Sequence, residues 1–163
     1  MVAIALAAAF VAEAPRLLFE FGRPAPPDVG VLGTTEEKMP SEQKWYALTD
    51  RVVDTKVEAD GDIHIALQDA NGGGVGTVSA EIPVLPKWCE IRQIVFGWTT
   101  QKFPFNVKTA QTLKIPEPHV ITVTGKASYD IGHAPAEHSN RRSTPKDYAV
   151  WEIHPVMKLE VVQ

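Results

Sequence analysis

Cysteine occurs once, as Cys89, so the chain can close no internal disulfide, and without a C-x-x-C it has no thiolate zinc site. A lone cysteine in a helical pattern behaves as a small hydrophobe, which places Cys89 on the buried face of a helix. Positive charge is scarce too. Sixteen Lys and Arg against twenty Asp and Glu give a formal net charge of −4, which argues against a broad cationic surface that gathers nucleic acid by counterion release. The local exception is Arg141-Arg142 with Lys146. The glycine-rich "ANGGGVG" is not followed by Gly-Lys-Ser/Thr or by a helix, so it reads as a hairpin loop, not a phosphate cradle. Nucleophile motifs, H-E-x-x-H and acid-rich loops of metal-binding spacing are also missing.

Long apolar runs are absent as well. Val2 to Ala12 is the longest, too short to span a bilayer as a helix. It ends in the A-x-A-like Ala12-Glu13-Ala14 but lacks a basic flank, so two readings stand. As a signal peptide it implies a periplasmic or secreted protein; as a plain apolar segment it implies a cytoplasmic one. Residues 1–43, rich in proline and acid after Arg16, are expected to form a poorly ordered leader.

Residues 44–163 carry the folding signal. With 44% hydrophobic and 22% charged residues over a 163-residue chain, one compact domain is the expectation. "WYALTDRVVDTKVE" is β-rich but imperfectly alternating, and Asp60-Gly61 supplies a hairpin turn. "DIHIALQD" then alternates cleanly, and "TVSAEIP", "HVITVTGKASYD" and "AVWEIHPVMKLEV" read as the third, fourth and fifth strands. Between the third and fourth of these strands, "KWCEIRQIVFGW" sets Trp88, Ile91, Val95 and Trp98 at helical spacing, predicting one helix from about Lys87 to Trp98. Three strands, a helix and two strands is the order of the five-stranded oligonucleotide/oligosaccharide-binding barrel, the OB-fold.

Strand parity nominates a site. If Ile63, Ile65, Leu67, Val78, Ala80, Ile82, Trp151 and Ile153 fill the barrel, then Asp62, His64, Ser79, Glu81, Glu152 and His154 point outward. The third strand of an OB-fold lies between the second and the fifth, which sets Glu81 between His64 and His154 at a strand spacing of about 5 Å. Imidazole with carboxylate suits a divalent metal such as zinc, held by His64, Glu81 and His154, and equally suits general-base work or a polar network that pins register. Pro155, at the end of the paired stretch, is expected to break the ladder locally, marking a bulge or an edge where His154 can be aimed. The loop "DIGHAPAEHSNRRS" adds His133, Asn140, Arg141 and Arg142, whose guanidinium forks suit an anionic ligand.

"GDIHIAL", "VSAEIP", "ITVTGKASYDIGHA" and "YAVWEIHPVMKLEV" resemble a group of uncharacterised bacterial proteins, many of them exported, that share D-I-H-I and a terminal W-E-I-H-P-V. The resemblance spans residues 60 to 161 and brings with it no activity and no catalytic residues. Three functions remain in competition. The first is a binding module for an anionic ligand, an oligosaccharide or a nucleic acid, on the outer face of the barrel. The second is a metal-assisted hydrolase directed at phosphodiesters, using the His/Glu cluster. The third is a structural or interaction domain with no ligand.

Overall fold

The structure, a computed structural model, describes residues 40–71, 76–101, 109–130 and 148–162. A four-residue helix α1 (Pro40–Gln43) leads into β1 (Trp45–Val57), followed by β2 (Ile63–Gln68) and β3 (Thr77–Ile82). A 3-10 turn (Pro86–Trp88) runs into α2 (Cys89–Phe96); a two-residue strand β4 (Gln111–Thr112), β5 (Val120–Tyr129) and β6 (Tyr148–Val161) complete the chain.

The sheet runs β2-β3-β6-β5-β1-β4, and β1 also pairs with β2, which closes a five-stranded barrel from β1, β2, β3, β6 and β5. All barrel pairings are antiparallel except β3 with β6. This is an OB-like barrel with its principal helix between the third and fourth barrel strands.

Closure depends on β1. Its first part, Trp45 to Arg51, pairs with β5, and its second, Arg51 to Val57, pairs with β2. A register shift between Val52 and Asp54 separates the two. That extra residue bends the strand from one neighbour to the other and accounts for the imperfect alternation of "WYALTDRVVDTKVE". The β1–β2 turn is a three-residue loop: Gly61, at φ 97, donates its N–H to Glu58 O at 3.0 Å, and Glu58 N–H donates to Asp62 O at 2.8 Å. Only a residue that accepts positive φ fits there, hence the Asp60-Gly61 pair.

The core is filled by the expected apolar set, including Ile63, Ile65, Leu67, Val78, Ala80, Ile82 and Ile153, together with Ile121, Val123 and Val156. Trp88 and Val95 bring the helix onto this core, and the Trp88 indole N–H donates to Val156 O at 2.6 Å, tying the helix to β6.

One expectation needs correction here. Cys89 is exposed, because the residues buried here are Trp88 of the 3-10 turn and Val95 of α2, and Cys89 falls beside them. At Pro155 the local break takes the form of a bulge, one of the two forms expected, and not of an edge. Strand β6 continues to Val161, and the missing N–H is absorbed by a bulge in which a step of two on β5, Gly125 to Ala127, meets a step of three on β6, Val156 to Ile153. Of the expected leader, residues 1–39 lie outside the described residues; Glu42, within it, is buried and accepts a hydrogen bond from Tyr129 N at 3.4 Å. No helix among the described residues is long and apolar enough to cross a membrane.

Candidate functional site

Register delivers the row that parity nominates. His64 pairs directly with Glu81 across β2–β3. In the parallel β3–β6 pairing Ser79 meets Glu152 and Ala80 meets Ile153, so the next residues along, Glu81 and His154, become neighbours. His64 Nδ1 lies 3.1 Å from Glu81 Oε1, and His154 Nδ1 lies 3.6 Å from Glu81 Oε2 and 3.3 Å from Glu152 Oε1. On its other nitrogen, His64 Nε2 faces Ser79 Oγ at 3.4 Å. Asp62 is anchored by the Val84 N–H, which donates to its Oδ1 at 2.8 Å.

The face points away from the barrel core, as expected, yet much of it is not at the surface. His64 is 4% exposed, Glu152 6% and Ser79 0%. Alternation reports which side of a strand a residue takes and says nothing about what lies over that side. Glu81 and His154 are half-buried, so the cluster grades from an enclosed end at His64 and Glu152 to an open end at His154 and Asp62.

Burial sets the electrostatics. It pushes the Asp62 and Glu152 carboxyls above the usual carboxylate range. Burial acts on Glu81 in the same sense, but the His64 hydrogen bond and the His154 charge together outweigh it and hold that carboxyl low. The Glu152 hydrogen bond, helped by the charges of Glu152, Glu81 and Asp62, raises His154 despite its own desolvation. Two imidazoles are thus interleaved with a majority of carboxylates. A face of this composition attracts cations.

Two groupings have ligand atoms close enough to share one ion, with all atoms of a grouping within 4.8 Å of one another: Asp62, Glu81 and His154, and Glu58, His64 and Glu81. The expected set of His64, Glu81 and His154 is therefore divided, with one imidazole on each oxygen of Glu81. Sequence reasoning overlooked Glu58, whose Oε1 lies 3.9 Å from His64 Nδ1 and 2.7 Å from Lys56 Nζ. Its signal was the turn itself: a residue paired with Asp62 across a tight hairpin stands beside the same site. Asp130, at the end of β5, adds negative charge felt by both Glu81 and Glu152. The remaining nominated residues, His133, Asn140, Arg141 and Arg142, lie outside the described residues. His119, which leads into β5, stacks on Trp98 with ring centroids 4.8 Å apart and takes no part in the cluster.

Fold and site define a class: an OB-like barrel carrying a histidine–carboxylate cluster on the outer face of its β2–β3–β6 sheet. No family model, curated protein or solved structure matches the chain.

Proposed function

We propose that this barrel is a binding module that takes up a divalent cation through Asp62, Glu81 and His154 and uses it to hold the oxyanion of an anionic ligand, the phosphate of a nucleic acid or the carboxylate of an acidic oligosaccharide. The observation that carries the reading is the placement of Glu81, a carboxylate kept ionised and aimed at His154 Nδ1 from 3.6 Å with Asp62 in the same grouping. Bonds of about 2.1 Å to one zinc ion put neighbouring ligand atoms about 3.0 to 3.4 Å apart, against 3.6 Å between His154 and Glu81 and at most 4.8 Å within the grouping, so loading draws the three side chains together. The carboxylates of this face would repel an anion directly, and a bound cation reverses that sign. Among the described residues, the Arg92 guanidinium of α2 feels the Asp62 charge and brings positive charge to this end of the face.

A metal-assisted phosphodiesterase is the second reading, favoured by the second imidazole–carboxylate grouping around Glu81. A divalent ion would supply Lewis acidity toward a phosphoryl oxygen and a more acidic bound water.

The test is calorimetric titration of the tag-free, chelator-treated full chain with Zn²⁺ and Mn²⁺, followed by inorganic phosphate, a short single-stranded oligonucleotide and an oligouronate. Stoichiometric cation uptake that Asp62→Asn weakens, with anion binding abolished by chelator, is the expected result. No cation uptake, or anion binding indifferent to chelator, overturns the reading and leaves the cluster as a register-pinning network.

A further inference from the structure

The two oxygens of Glu81 face different imidazoles. Oε1 is 3.1 Å from His64 Nδ1, Oε2 is 3.6 Å from His154 Nδ1, and each side is completed by a separate carboxylate, Glu58 on the first and Asp62 on the second. Resting on the cation-binding reading above, we propose that the face holds two divalent cations bridged by Glu81, the second ligated by Glu58, His64 and Glu81.

A carboxylate that gives one oxygen to each of two ions suits their separation in two-metal sites, about 3.5–4 Å. The His64 side has the support expected of a ligating imidazole. Its far nitrogen, Nε2, faces the fully buried Ser79 hydroxyl at 3.4 Å. A hydroxyl both donates and accepts, so Ser79 holds the ring in place whether Nδ1 carries a proton toward Glu81 or offers a lone pair to a metal. His64 itself is enclosed between β1 and β3, opposite Lys56 on one side and Glu81 on the other, and has little freedom to turn away.

Lys56 distinguishes the two sites. Its Nζ sits 2.7 Å from Glu58 Oε1, the oxygen that also lies 3.9 Å from His64 Nδ1. Without a cation, the ammonium neutralises Glu58; loading the second ion means displacing it. The second ion therefore binds more weakly than the first, and removing the lysine charge tightens it. An oxyanion held across both ions would gain two points of attachment, which favours a phosphate group over a neutral sugar.

The experiment is a count of bound ions by native mass spectrometry and calorimetry on the full chain titrated with Mn²⁺, with electron paramagnetic resonance of the loaded protein. Two ions per chain, the second weaker, and a spin-coupled Mn²⁺ pair are expected. Glu58→Gln should weaken the second ion by about tenfold or more, the cost typical of impairing a ligand or its support, and leave the first unchanged. Lys56→Met should tighten the second ion severalfold. Circular dichroism and melting of each variant verify its fold. One ion per chain, indifferent to Glu58→Gln and Lys56→Met, overturns the bridged pair and leaves the mononuclear reading standing; no ion at all overturns both.

Discussion

His64 and Glu81 stand directly opposite each other in the β2–β3 ladder, with Nδ1 and Oε1 3.1 Å apart and the imidazole 4% exposed. A hydrogen bond to an ionised partner in such a place contributes more than a surface pair does. The cluster's two histidines should therefore differ in what they do for stability. In chelator-treated protein, His64→Ala should cost about 2–3 kcal/mol, combining a charge-assisted hydrogen bond with the space the ring leaves. His154→Ala should cost about 1 kcal/mol or less, because its side chain is 34% exposed and water can replace it. Urea denaturation of both variants measures the difference; equal costs would contradict the graded burial of the site.

Gly125 is the second point of leverage on the site, reached from behind. A Cβ built there would run into Pro155 O and the Ile153 side chain, the residues on either side of His154. The β6 bulge presses its carbonyl against β5 where only glycine leaves room. Gly125→Ala is expected to cost about 1–3 kcal/mol, the range for overpacking a filled interior. Because relief requires the bulge to move, it should also shift His154 and weaken cation uptake. A variant with normal melting and normal uptake would show that the bulge is more pliant than its packing indicates.

How much of this could be read beforehand divides along a physical line. The barrel was legible because its strands are bounded by turns and alternate with period two, and because α2 is the one segment with period 3.6. The His64–Glu81–His154 row was legible because parity and OB-fold strand order together settle who neighbours whom. Depth was not: His64 and Glu152 look like surface residues in the alternation, yet they are 4% and 6% exposed, and strand parity carries no information about depth. Strand β4 was missed because two residues carry no period, and its pairing with Lys56 and Val57 depends on the distant β1. Pro155 was legible as a local break in the ladder, a bulge or an edge; a bulge is what forms, and the ladder resumes beyond it because the extra residue removes the need for the missing donor.

Thr55 tests the interior. Its hydroxyl is buried on the core side of β1, 1% exposed, with no hydrogen-bond partner for Oγ1. A buried hydroxyl without a partner costs about 1–3 kcal/mol. Thr55→Val should thus stabilise the protein by about 1 kcal/mol, a rise in melting temperature of roughly 3–5 °C for a domain of this size. Its main-chain role, accepting from Leu113 N at 2.8 Å, is unaffected by the change. A fall in melting temperature would mean that Oγ1 is satisfied in solution.

Asp50 gives the barrel a pH dependence separable from that of the site. It lies on β1 opposite Ile121, 3% exposed, and desolvation pushes its carboxyl up to about 6 from an ordinary 3.8. The Ala70 N–H hydrogen bond pulls the other way and is outweighed, while Asp69 nearby adds to the rise. The folded state therefore keeps this proton up to about pH 6, whereas the unfolded chain gives it up near 3.8. Between those values the folded state binds more protons, so the Asp50 contribution to stability falls as pH rises through that window and then levels off. The loss is on the order of 1–3 kcal/mol. Asp50→Asn keeps an acceptor for Ala70 N and removes the buried charge, so it should stabilise the protein at pH 7.5 by about 1–2 kcal/mol and have little effect at pH 4. Subtracting the variant's urea-denaturation profile from the parent's between pH 4 and 8 isolates Asp50 from the cluster's own titrations. A difference that is flat with pH, or an asparagine variant less stable at pH 7.5, would mean that the Asp50 carboxylate is compensated in the folded protein.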